Sequence, residues 1–474
     1  MNKTLTGKPS VDRPWMQYYP PQMIEGLSIP EQTVAEYLEE RCPGSDVVAM
    51  HYYGTDITWK ELNEQVDKTA RALRALGFGE GDQIPTFLRS VPEFLYLLLA
   101  AERIGASLLC RDNTIEENVD AVKKSGAKII FAHDFLSHDD LNAYRNGAGV
   151  HGAVLLSPLR SADRTQMPDY CWDYMDSLYS DYPAYGPCTM SWDAFLRQGD
   201  GFTGTVEAPR DIDRPLFRAY TSGSTGPSKQ VIHSAHTMIG NMHQMNFYGG
   251  ASDFRPTWMV TLLPPTLVAV VVAMLLMPLA SDKLLILSPF VDVNDVDLEL
   301  MRYRPNAWPL IPMFIEIVMR NGRVPDDYDM SHLFAAGAGC EAYNNNQLKR
   351  AQKFLNDHNC KARFTTGYGC SEAGSNMTLP MENRLADANI PGIDDEFFVI
   401  IQDPEHHHCF VPYLFVVLED GYTVDDIREK VAACLEDYMQ PVEIYALPER
   451  PFFHFKTNRI GMVKAICEGT LGKE

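Results

Sequence analysis

Apolar and polar positions along this chain alternate between a helical and a strand period. Leu62, Val66, Ala70, Leu73 and Leu76 recur at helical intervals, and Thr58 and Glu61 before them have capping-box spacing. Gly77, Gly79 and Gly81 then turn the chain. Strand-like runs are expected at 84–88, 107–110 and 127–132, with helices at 33–41, 92–104 and 115–125 between and before them. This alternation predicts an α/β fold with doubly wound sheets. Residues 1–32 read as an irregular arm rich in proline and aromatics. Residues 140–213 lose periodicity and read as a long connection with short elements. Further on, the pattern predicts a helix at 234–246, a strand at 258–263 and a strand ending in small residues within 333–340. Strands at 397–401, 413–418 and 442–447 and a helix at 424–435, capped by Thr423 and Asp426, complete the chain.

The most apolar run, 267–277, is shorter than the roughly 20 residues that cross a bilayer. No membrane span is expected. Val268, Val271, Val272 and Leu275 in that run are either ordinary core or the lining of an apolar acid site. A length of 474 residues allows more than one domain. The net charge of −22 argues against nucleic acid and anionic membrane as partners, because both need a basic footprint. Ten cysteines are scattered without a C-x-x-C pair, and the first 14 residues lack the apolar core of a signal peptide. The expected compartment is the reducing cytoplasm. His406-His407-His408-Cys409 has no second ligand cluster to complete a metal site.

The densest chemistry lies at 220–229, Tyr-Thr-Ser-Gly-Ser-Thr-Gly-Pro-Ser-Lys. Strand-prone runs at 216–220 and 230–232 flank it, so it reads as the tip of a hairpin-like crossing. Glycines let backbone N–H groups approach an anion, hydroxyls add short donors, and Lys229 adds a mobile cation. The spacing is not that of the G-x-x-x-x-G-K-[ST] phosphate loop. A plain Gly/Ser turn is the competing reading.

Thr221-Ser222-Gly223-Ser224-Thr225-Gly226 with Lys229 resembles the signature loop of the adenylate-forming superfamily, which includes acyl-CoA synthetases, nonribosomal adenylation domains and beetle luciferases. Ser228 and Gln230 stand where the family has proline and glycine. Ala336-Gly337-Ala338-Gly339 is similar to the family's adenine-binding strand, and Gly367-Tyr368-Gly369-Cys370-Ser371-Glu372 matches its Gly-Tyr-Gly-x-Thr/Ser-Glu motif. The resemblance implies a large N-terminal AMP-binding-like domain over 1–380 and a small α+β domain over 381–474 that opens on a helix at Glu382-Asn383-Arg384-Leu385. It implies that Ser222, Ser224, Thr225 and Lys229 meet phosphates, Tyr368 stacks on adenine, Ser371 meets the α-phosphate and Glu372 holds Mg²⁺. Thr221, Gly223, Gly226, Gly337, Ala338, Gly339 and Gly369 would complete the nucleotide site, with Lys229 and Glu372 the catalytic pair.

The implied reaction activates a carboxylic acid with MgATP as an acyl-adenylate and passes the acyl group to a thiol, either CoA or a carrier protein. A homodimer is the default assembly. The chain also departs from the family. The ribose-binding Tyr-x-Thr-Gly-Asp motif and the Gly-Arg-x-Asp hinge are absent, as though a segment were deleted. Pro264-Pro265-Thr266-Leu267 lacks the gating histidine, and Met462 stands where a closing lysine belongs. A ligase and a degenerate homologue that binds nucleotide, acyl ligand or a partner without turnover therefore both remain open.

Overall fold

A computed structural model describes residues 6–13, 16, 28–179, 185–221, 228–248, 254–341, 343–378, 390–402, 410–435, 440–453 and 456–471. Strands β1 (Val48–Tyr52) and β2 (Thr55–Thr58) form a hairpin turned at Gly54, whose φ is 88°. One sheet follows from β3 (Gln83–Phe87), β4 (Ser107–Cys110), β5 (Ile129–His133), β6 (Gly152–Leu156), β7 (Thr189–Ser191), β8 (Pro215–Tyr220) and β9 (Gln230–Ser234). Its spatial order is β7-β6-β5-β3-β4-β8-β9. Strands β10 (Thr257–Thr261), β11 (Leu284–Ser288), β12 (Ala307–Leu310), β13 (Ala335–Ala338) and β14 (Phe364–Thr366) join the first hairpin in a second sheet, ordered β14-β13-β12-β10-β11-β1-β2.

Each seven-stranded sheet is parallel apart from one antiparallel edge strand, β9 in one and β2 in the other. Parallel strands are covered on both faces, so they read as unbroken apolar runs such as Leu-Leu-Ile-Leu in β11. One large hydrophobic core runs through both sheets, and a second, smaller cluster including Ile130, Ala132, Ala153 and Leu155 lies against β5 and β6. Helix Trp59–Ala75 buries Leu62, Val66, Ala70 and Leu73, and its Thr58–Glu61 capping box is formed on both sides.

The hairpin β15 (Tyr368–Cys370) and β16 (Ser375–Thr378) leaves the second sheet. Strands β17 (Ile393–Gln402), β18 (Phe410–Leu418) and β19 (Glu443–Ala446) form a separate three-stranded sheet with its own small core. Helix Val424–Cys434 packs there behind the Thr423–Asp426 capping box. No helix among the described residues is long and apolar enough to cross a membrane.

Several expectations need correction. The short elements expected within 140–213 are β6, β7 and helices Asp169–Ser177 and Trp192–Gln198, with helix His138–Ala148 at its start; β6 and β7 belong to the first sheet. The hairpin β1–β2 and strand β11 went unpredicted. Strand β17 starts at Ile393 rather than 397, because Asp394, Asp395 and Glu396 are paired instead of facing water. The apolar run is helical with a π-helical part, Val270–Leu276, and Val268, Val271, Val272 and Leu275 are fully buried in the main core. Pro278 has no N–H to offer the carbonyl four residues back, so the helical hydrogen-bond ladder is interrupted there. The expected helix at 382–385 and the cluster at 406–409 lie outside the described residues.

Candidate active site

The hairpin β8–β9 closes as the sequence suggested. Tyr220 pairs with Gln230, and Thr221 and Lys229 extend the stem. The Thr221 N–H donates to the Lys229 carbonyl at 2.9 Å, and the Lys229 N–H donates to Thr221 Oγ1 at 3.0 Å. Ser228 Oγ donates to the Thr221 carbonyl at 2.5 Å. Thr221 is thus engaged in closing the stem, while the Lys229 side chain is exposed. Ser222, Gly223, Ser224, Thr225 and Gly226 lie outside the described residues. Beneath the stem the buried Arg111 guanidinium sits 4.2 Å from the centre of the Tyr220 ring and 3.0 Å from Glu117. A planar cation on an aromatic face holds that ring in place. Nothing in the sequence marked Arg111.

The end of β13 brings in Gly337, Ala338 and Gly339. Strand β13 lies between β12 and β14, with Gly337 opposite Thr365. A Cβ at Gly337 would stand 3.2 Å from Thr365 Oγ1, so small size there has a packing cause as well as room for a ligand. The Gly367 N–H donates to the Ala338 carbonyl at 3.0 Å, tying this strand end to the approach of β15.

Tyr368 on β15 leaves its ring 64% exposed, free to stack. Gly369 follows where no side chain fits, because its Cβ would lie 2.0 Å from the Ser375 carbonyl oxygen across the hairpin. Ser371 and Glu372 form the turn, with Glu372 exposed.

The two hairpins are joined by a residue that the sequence reading missed. His233, four positions after Lys229 on β9, is 2% exposed, and its Nε2 lies 2.8 Å from the Ser371 carbonyl. Burial pushes its pKa below the usual histidine value, which the Ser371 bond and the Glu372 charge partly oppose. A carbonyl can only accept, so the neutral ring carries its proton on Nε2. A Cβ added at Gly374 would stand 3.7 Å from the ring. Lys229, the β13 end and the Tyr368–Glu372 turn therefore share one framework. It offers a mobile cation, an open aromatic face and a solvent-facing carboxylate. A carboxylate completed by phosphate oxygens and water is a donor set that suits Mg²⁺. A separate depression of about 510 Å³ beside Val318, Phe354 and His358 involves none of these residues.

The protein-family model described as "AMP-binding enzyme" matches residues 38–402. The chain belongs to this family. Within it, the chain is 28% identical over 209 residues to an acetyl-coenzyme A synthetase of Laribacter hongkongensis, covering 43% of this chain and 29% of that protein. It is 25% identical over 351 residues to the acyl-CoA ligase SID4 of Ajellomyces capsulatus, covering 72% of this chain and 56% of that protein. The chain thus spans under two thirds of these relatives' lengths. Among solved structures, the anthranilate CoA ligase AuaEII with anthranoyl-AMP superposes with a TM-score of 0.68 at 11% identity, over 94% of this chain and 99% of that one. ATP-bound MatB from Rhodopseudomonas palustris gives 0.68 at 14% identity, over 92% and 99%. At these identities the superpositions establish a shared fold.

Proposed function

We propose that this AMP-binding family member is an acid–thiol ligase that activates a carboxylic acid through an acyl-adenylate. The observation that carries the reading is the His233–Ser371 link, which fixes the Lys229 hairpin against the Tyr368–Glu372 turn. In this reading the purine stacks on Tyr368 beside Gly337–Gly339, and Ser371 faces the α-phosphate. The loop Ser222–Gly226 and Lys229 surround the phosphates, and Glu372 holds Mg²⁺, which supplies charge neutralisation when bound. Lys229 is suited to stabilise charge that develops as the carboxylate attacks the α-phosphate and pyrophosphate departs. The acyl group then passes to the sulfur of CoA or a carrier protein, and AMP leaves. Nine described cysteines without a disulfide fit a reducing cytoplasm.

A second reading, nucleotide binding without turnover, is favoured by one feature. The chain's last motif presents Arg459, held by Glu341 at 3.3 Å, and Met462 where the family has its lysine. Carboxylate-dependent exchange of pyrophosphate into ATP, compared with Lys229→Ala and Glu372→Ala, separates the two readings.

A further inference from the structure

The segment just after β13 is fastened to the C-terminal sheet by a ring made of hydrogen bonds and the short stretch of chain between Glu341 and Asn344. Asn344 caps helix Asn345–Asp357, its Oδ1 accepting the Gln347 N–H at 2.8 Å. Serine or aspartate would cap as well, but only asparagine also brings an amide donor. That donor, Nδ2, lies 3.0 Å from Asp395 Oδ1, 3.1 Å from Glu396 Oε2 and 3.2 Å from the Asp394 carbonyl. Asp395 also accepts from Arg450 Nε at 2.7 Å, and Arg450 donates to Thr457 Oγ1 at 2.8 Å. The Thr457 N–H then donates to Glu341 Oε2 at 2.6 Å. Glu341 lies three residues before Asn344, which closes the ring. Asp395, Arg450 and Thr457 are all buried. Outside the ring, Asn346 donates to the Ile393 carbonyl at 2.6 Å and Arg350 pairs with Asp394.

Cys340 stands between Gly339 and the ring, at φ 70°. A non-glycine residue keeps that left-handed backbone only while its surroundings hold it. The ring supplies a hold on one side and β13 on the other.

We propose that Glu341 and Asn344 are positioning residues: they dock the C-terminal sheet beside the end of β13 and keep Gly339–Cys340 in its nucleotide-binding shape. The coupling to nucleotide rests on the reading of β13 given above; the docking does not.

Asn344→Ser keeps the helix cap and removes the amide donor, so it isolates the ring from helix stability. Two quantities are measured on the full chain, amide hydrogen exchange across β17 and MgATP affinity by calorimetry. Asn344→Ser is expected to speed exchange in β17 about tenfold or more and to weaken MgATP at least fivefold. Glycine adopts the Cys340 backbone without strain, so Cys340→Gly should make MgATP affinity insensitive to Asn344→Ser. Faster exchange with unchanged MgATP affinity overturns the coupling and leaves the nucleotide reading standing. Unchanged exchange overturns the docking role. Absence of MgATP binding by the unsubstituted protein removes the nucleotide reading and the coupling together, while the exchange result still decides the docking.

Discussion

Replacing His233 by phenylalanine removes the bond between the two hairpins while keeping an aromatic ring in its buried place. The Ser371 carbonyl loses a neutral donor at 2.8 Å, inside a contact where His233 is 2% exposed. A buried acceptor left unpaired costs about 1–3 kcal/mol. If the site forms only when the hairpins are held together, that cost falls on the liganded state. At 1.4 kcal/mol per factor of ten, MgATP affinity should drop roughly fivefold to a hundredfold. Lys229 and Glu372 remain, so the loss would be purely positional. The pH response has a fixed sign. Burial lowers the histidine pKa in the folded state. As pH falls below about 6.5 the unfolded chain takes up a proton that folded His233 resists, and stability declines. His233→Phe should lose that part of the acid sensitivity. Calorimetric MgATP titration and denaturant unfolding at two pH values test both arms. Equal MgATP affinity in His233→Phe and the unsubstituted protein would refute the strut.

Gly369→Ala places a Cβ 2.0 Å from the Ser375 carbonyl oxygen, so the β15–β16 hairpin must shift. A loss of more than about 2 kcal/mol in denaturant unfolding, with weakened MgATP binding, is expected; wild-type values for both would contradict the hairpin crossing. Glu102 accepts the N–H groups of Val34 at 2.7 Å and Ala35 at 2.9 Å, yet burial raises its pKa to about 7. A carboxyl with a raised folded pKa contributes stability below its unfolded pKa, near 4.3, and loses it as pH rises through about 7. Glu102→Gln should therefore gain stability relative to the parent between pH 5 and pH 8, and a difference that stays flat or reverses would contradict the shift.

The α/β class, several helices and the main motifs were legible because their signals are local. Helices Pro92–Ile104 and Ile115–Ser125 follow from periodicity, and both capping boxes follow from residue spacing. Strand β7, three residues long, gives no periodicity to read, and β6 sits among residues rich in Asp, Tyr and Pro. The start of β17 was missed because three acidic residues in a row read as solvated chain. Their partners, Asn344, Arg350 and Arg450, lie 44 to 55 positions away. His233 shows the same limit at the site. It is an ordinary residue on an edge strand until its acceptor, 138 residues on, is brought beside it. Lys229, Tyr368 and Glu372 could be named from motifs, but the framework that relates them is tertiary.

The central claim is that this framework activates a carboxylate with ATP. Its most direct test is exchange of labelled pyrophosphate into ATP, measured with MgATP across a panel of aliphatic and aromatic acids. The account predicts exchange that requires an acid and collapses in Lys229→Ala and in Glu372→Ala. MgATP binding without exchange for any acid in the panel would contradict the ligase reading and leave a nucleotide-binding protein in its place.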